Sequence, residues 1–71
     1  MTDNIKRLFK QMNESTKEEA LTCLKKEFNI NDRKWIMNEW IIGGRITESF
    51  QEKIVALFQK LLRKQAVAIK R

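Results

Sequence analysis

Trp35, Asn38, Glu39, Ile42 and Arg45 fall in one short stretch of the chain and offer the chemistry of recognition, not of bond making. An indole and an isoleucine can act as desolvated anchors, while an amide, a carboxylate and a guanidinium supply directional hydrogen bonds and ion pairs. Catalysis has no candidate. The chain contains no His and a single Cys, Cys23, which excludes a disulfide framework, a Cys/His zinc site and a Cys–His nucleophile. Glu18 and Glu19 are paired carboxylates, but their place at a helix start accounts for them as capping groups. Cys23, between Thr22 and Leu24, reads as a small packing residue. The expectation is a protein that is not an enzyme and holds neither cofactor nor metal.

Charge and length bound the partners. Fifteen Lys and Arg against nine Asp and Glu leave +6, enough to attract a polyanion or an acidic protein surface without choosing between them. Seventy-one residues make one small domain, 1–71, with residues 69–71 expected as a frayed tail. No apolar run approaches the roughly 18 residues of a membrane span, and MTDNIKRLFK lacks a signal-peptide core. No membrane partner and a cytoplasmic location are therefore expected.

The recognition residues must be held by helices. There is no Pro, and the two Gly, Gly43 and Gly44, are adjacent, so boundaries come from caps and polar pauses. Ile5, Leu8, Phe9 and Met12 repeat at i, i+3, i+4 and i+7, the pattern of one buried helical face. Thr2 or Asp3 would cap that helix, and Asn13-Glu14-Ser15 would end it. Ser15 with Glu18 and Thr16 with Glu19 offer overlapping capping boxes for a second helix, which buries Ala20, Leu21, Leu24 and Phe28. After Asn29-Ile30-Asn31, Asn31 or Asp32 would cap a third helix with the stripe Ile36, Met37, Trp40 and Ile41. Gly43-Gly44 ends it, since Gly takes the left-handed conformation without strain. Thr47 would cap a long last helix that turns Phe50, Ile54, Leu57, Phe58 and Leu61 inward, with Val55, Leu62, Ala66 and Ile69 on an adjacent side. This spacing predicts an all-α fold of four helices. Its expected core is Leu8, Phe9, Leu21, Leu24, Phe28, Ile36, Trp40, Ile54, Leu57, Phe58 and Leu61.

Helix, short turn, helix and a Gly-Gly stop form an order that recurs in helix-turn-helix proteins. The residues WIIGGRI, from Trp40 to Ile46, followed by a capped amphipathic helix, resemble the end of the recognition helix in small phage regulators of the Cro/Xre repressor class. The resemblance covers most of the chain and implies a compact lambda-repressor-like domain. Glu19–Phe28 would be the first helix of the motif and Asp32–Ile42 the recognition helix. The turn departs from that pattern, because Phe28-Asn29-Ile30 stands where an Ala-x-x-x-Gly spacing is common. Arg45 would take the place of a basic residue that reaches the DNA backbone.

At about 100° per residue, the third helix puts Trp35, Asn38, Glu39 and Ile42 opposite its apolar stripe. A DNA-reading helix presents Arg, Lys, Asn, Gln, Ser or Thr to base edges. Asn38 fits, but Glu39 meets phosphate repulsion, and Trp35 and Ile42 read a groove poorly. A face depleted in charge and led by an aromatic matches the centre of a protein–protein patch. In size, helical make-up and basic charge the chain is similar to the helix-turn-helix antirepressors of lactococcal temperate phages, the modulators of repression. That resemblance implies binding to the DNA-binding domain of the phage lysogeny repressor, a joint complex at a promoter, and a bias toward lytic growth. The partner surface would comprise Trp35, Asn38, Glu39, Ile42 and Arg45, with Glu48 and Glu52 at its rim facing the repressor's Lys and Arg. The alternative is a Cro-like repressor that binds operator DNA directly as a dimer, through Arg33, Lys34, Asn38 and Arg45. Lys6, Arg7 and Lys10 read as a solvated face, and Arg63 and Lys64 as a helix end favoured by its dipole.

Overall fold

Asn13, Asn29, Asp32 and Gly44 set the limits of the helices in the computed structural model, which describes residues 2–69. Among these residues there are four helices and no strand, so the all-α class holds. They are α1 (Thr2–Lys10), α2 (Glu14–Phe28), α3 and α4 (Glu48–Ile69). The third helix has two parts: an α-helical turn, Arg33–Trp35, runs straight into a π-helical segment, Ile36–Ile42. No helix of the described residues is long and apolar enough to cross a membrane.

The Asn13 side chain accepts the Thr16 N–H at 2.8 Å, so α2 starts at Glu14, ahead of the expected capping boxes. Ser15 and Thr16 fall inside its first turn. Asn13 satisfies an orphan N–H that the boxes were to serve. Glu18 and Glu19 are drawn instead to Arg33 and Lys64. At the other end Asn29 takes a left-handed φ of 54°, and the Ile30 N–H reaches the Lys25 carbonyl at 3.0 Å. This is a Schellman-type closure, with Ile30 packed against the core. The first helix already includes Thr2 and Asp3. The last includes Ile69, first residue of the expected frayed tail; Lys70 and Arg71 lie outside the described residues.

Asp32 starts α3 by accepting the Trp35 N–H at 3.1 Å. The bonding then slips to a wider coil, in which the Gly43 N–H meets the Asn38 carbonyl at 3.0 Å, five residues back. A regular helix was expected here, and the apolar spacing explains the difference. Trp35 and Trp40, like Ile36 and Ile41, lie five apart, which in an α-helix sets side chains about 140° from each other. The i→i+5 coil brings each pair onto one side. Ile36 and Ile41 are both buried, and Trp35 meets Trp40 edge-on with centroids 5.8 Å apart. Gly44 ends the coil at a φ of 69°, while the Arg45 N–H bonds the Glu39 carbonyl at 2.8 Å. Gly43 is hemmed in by the same carbonyls: a Cβ there would lie 2.8 Å from the Asn38 oxygen and 3.0 Å from that of Glu39.

Side chains from every helix meet in the centre: Ile5 and Phe9, Leu24, Ile36, then Ile54 and Phe58. Phe9 and Phe58 lie 6.0 Å apart by centroid. Trp40 is a second hub, with Phe28 edge-on at 5.3 Å and Phe50 at 6.1 Å. Of the expected core, Leu8, Phe28 and Leu57 are only half-buried, whereas Ile5, Met12, Ala20, Ile41 and Ile46 belong to it. Ile46 sits in a turn, where no helical period marks it as apolar and inward. α1 packs chiefly on α4. The turn between α1 and α2 is also held by α4: Gln65 Oε1 accepts the Asn13 N–H at 2.8 Å, and Gln65 Nε2 donates to the Gln11 carbonyl at 3.1 Å.

Trp40→Ala should cost about 3–5 kcal/mol in urea unfolding, close to the whole stability of so small a domain. Gly43→Ala should cost about 1–3 kcal/mol, because its Cβ overpacks backbone that cannot swing aside. Gln65→Ala, which removes two exposed hydrogen bonds that water can replace, should cost about 0.5–1.5 kcal/mol by the same measurement. Lys64→Ala, which breaks only an exposed ion pair, should stay under about 1 kcal/mol.

Candidate recognition surface

Trp35 stands at the first turn of α3 and remains 44% exposed although its ring leans on Trp40. Half-buried Phe28 and Phe50, with centroids 4.7 Å apart, flank the same Trp40. The four rings form an aromatic shelf whose outermost member is Trp35. The widened coil is what puts it there: in regular phase it would face away from Trp40.

Arg33, Lys34 and Asn38 line a shallow groove of about 550 Å³ floored by Leu21 and Met37. The Arg33 guanidinium is paired with Glu18 across the α2–α3 junction. Glu39 and Arg45 are brought together at 3.3 Å, and the arginine stays mostly in water. Ile42 is 64% exposed and belongs to a different groove, between α1 and the end of α3. Glu48 and Glu52 border a third, with Ile46 and Thr47, where α4 begins.

The structure thus groups Arg33 with Lys34 and Asn38, Glu39 with Arg45, and Glu48 with Glu52. It gives Trp35 and Ile42 different neighbours. Trp35 and Ile42 would lie nearly in line on a regular helix, and the π-helical segment turns them apart. Phe28 and Phe50, expected to face inward, pack at the edge of the core on Trp40. Sequence reading missed the setting of Lys6, Arg7 and Lys10: read as a plain solvated face, they share a groove with Ile42. The five-residue spacing of Trp35/Trp40 and Ile36/Ile41 was the available signal for the wider coil.

Comparison of the chain with known protein families, curated proteins and solved structures found no match.

Trp35→Ala removes the outer ring of the shelf and should cost about 0.5–1.5 kcal/mol in equilibrium unfolding, well below Trp40→Ala. Near-ultraviolet circular dichroism should change in parallel, since the two indoles form one edge-on pair.

Proposed function

We propose that the protein is a small regulator that acts by binding another protein. It would be an antirepressor of the phage helix-turn-helix type that engages the DNA-binding domain of the lysogeny repressor in the host cytoplasm. By holding that domain off its operator it favours lytic growth, and a joint complex with the repressor on DNA fits the same scheme. In this reading α2, the Asn29–Asp32 turn and α3 are the helix-turn-helix unit. The observation that carries the proposal is the aromatic shelf, with Trp35 exposed over Trp40, which packs in turn on Phe28 and Phe50. A large aromatic held on a rigid base and left in water is the form of an interface hot spot.

Charge supports the same assignment. Arg33 and Arg45, two of the residues suited to phosphates, are already engaged by Glu18 and Glu39. Glu48 and Glu52 have no ion-pair partner among the described residues and are open to the Lys and Arg of a DNA-binding face. Such complementarity speeds association, while the aromatic anchor sets the dissociation rate. The Cro-like alternative draws support from one feature: Arg33, Lys34 and Asn38 share a groove at the start of α3, the part of a recognition helix that reads base edges.

A gel shift over the regulatory region between divergent promoters, with and without the neighbouring repressor, separates the two. The protein alone should bind DNA weakly and with steep salt dependence. Calorimetry against the repressor's DNA-binding domain should show a complex that Trp35→Ala weakens by about 2 kcal/mol or more, roughly thirtyfold. A nanomolar, sequence-specific footprint by the protein alone at physiological salt would establish the Cro-like function instead.

A further inference from the structure

The groove between α1 and the end of α3 has an apolar floor of Phe9, Ile41 and Ile42 and a rim of Lys6, Arg7 and Lys10. Its volume is about 520 Å³. Ile42, at 64% exposed, is one of the most open large apolar side chains of the described residues. Lys6 and Lys10 stand one helical turn apart, with Arg7 beside them, so three cations border a single apolar slot. None of the three has an ion-pair partner among the described residues, whereas Arg33, Arg45 and Lys64 do. The one carboxylate on the rim is Asp3.

We infer that this groove docks an acidic amphipathic segment of a partner protein, with one large apolar side chain laid on Ile42 and carboxylates set against Lys6, Arg7 and Lys10. Complementarity decides the occupant. A nucleic acid satisfies the cations but brings no apolar group to cover Ile42. A lipid surface favours apolar side chains that project beyond the basic ones, while Phe9 and Ile41 are buried below the rim. A second copy of the chain, itself at +6, brings a surplus of the wrong charge. An acidic amphipathic segment alone supplies both halves, as in other helix-in-groove recognition. Asp3 fixes its direction, since the partner's acidic residues must gather toward Lys6 and Lys10. The groove is separate from the Trp35 shelf, and its occupancy does not depend on the antirepressor assignment.

The test is selection from a random peptide display library against the full chain, followed by calorimetry with the enriched peptides. These should carry clustered Asp or Glu around a Leu, Ile, Phe or Trp. Their affinity should fall at least tenfold with Ile42→Ser and with the double variant Lys6→Glu/Lys10→Glu, and recover with Ile42→Leu. Trp35→Ala should leave it unchanged, which keeps this outcome distinct from that of the shelf. Far-ultraviolet circular dichroism should be unaltered in all of these variants. Enrichment of peptides without acidic residues, no enrichment at all, or binding indifferent to the Ile42 and lysine variants would overturn the assignment. So would Ile42-dependent binding to phosphatidylglycerol vesicles or to a DNA duplex that displaces the peptides.

Discussion

A single hydrogen bond, from Gly43 back over five residues to the Asn38 carbonyl, governs much of this molecule. It marks a coil one residue wider than an α-helix, a form that occurs mostly as short segments and often at functional sites. The wider coil gives up hydrogen-bond geometry and gains packing. Ile36 and Ile41 both reach the core, and Trp35 comes alongside Trp40 instead of turning away. Gly43 must then be bare, because the displaced carbonyls occupy the space of a Cβ. Gly44 must turn left-handed to let Arg45 return over Glu39. The aromatic shelf, the ion pair and the separation of Ile42 from Trp35 all descend from that one slip.

Much of the architecture was legible in the sequence because α1 and α4 carry regular apolar periods and because Asn and Gly mark the stops. Some of what escaped had no local signature. Asn13 and Ser15 are comparable caps, and choosing between them required knowing that Gln65, far along the chain, already fixes the Asn13 N–H. Ile46 is buried by the turn that carries it, outside any period. The exposure of Trp35 and Ile42 followed from the surplus of apolar side chains on the third helix, but their grouping did not. Sorting residues by a fixed angle assumes the α-helical rise and turn, and the π-helical segment breaks that assumption at the residues that matter most. The companions of Ile42 were illegible for a different reason: they belong to α1, and only packing brings α1 against the end of α3.

The ion pairs distribute charge more than they hold the fold. Glu18 with Arg33 and Glu19 with Lys64 tie α2 to its neighbours, and Glu39 holds Arg45 at the end of α3. Exposed pairs of this kind contribute little stability. Their larger effect is on the potential around the molecule. They place carboxylates beside cations on α3 and α4, while Lys6, Arg7 and Lys10 of α1 have no ion-pair partner among the described residues.

Because α1 lays its apolar face chiefly on α4, and Gln65 closes the turn that follows α1, α1 depends on a helix made some fifty residues later. Ile5 and Phe9 have no complete cavity to enter until Ile54 and Phe58 have left the ribosome. The intervening helices can form locally within microseconds, but they cannot consolidate a core by themselves. The Asn13–Gln65 hydrogen bond closes a span of 52 residues, an entropic cost met only once α4 is present. During translation the nascent chain travels with Ile5 and Phe9 uncovered, so its exposure to chaperones and proteases is set by how fast the second half is made.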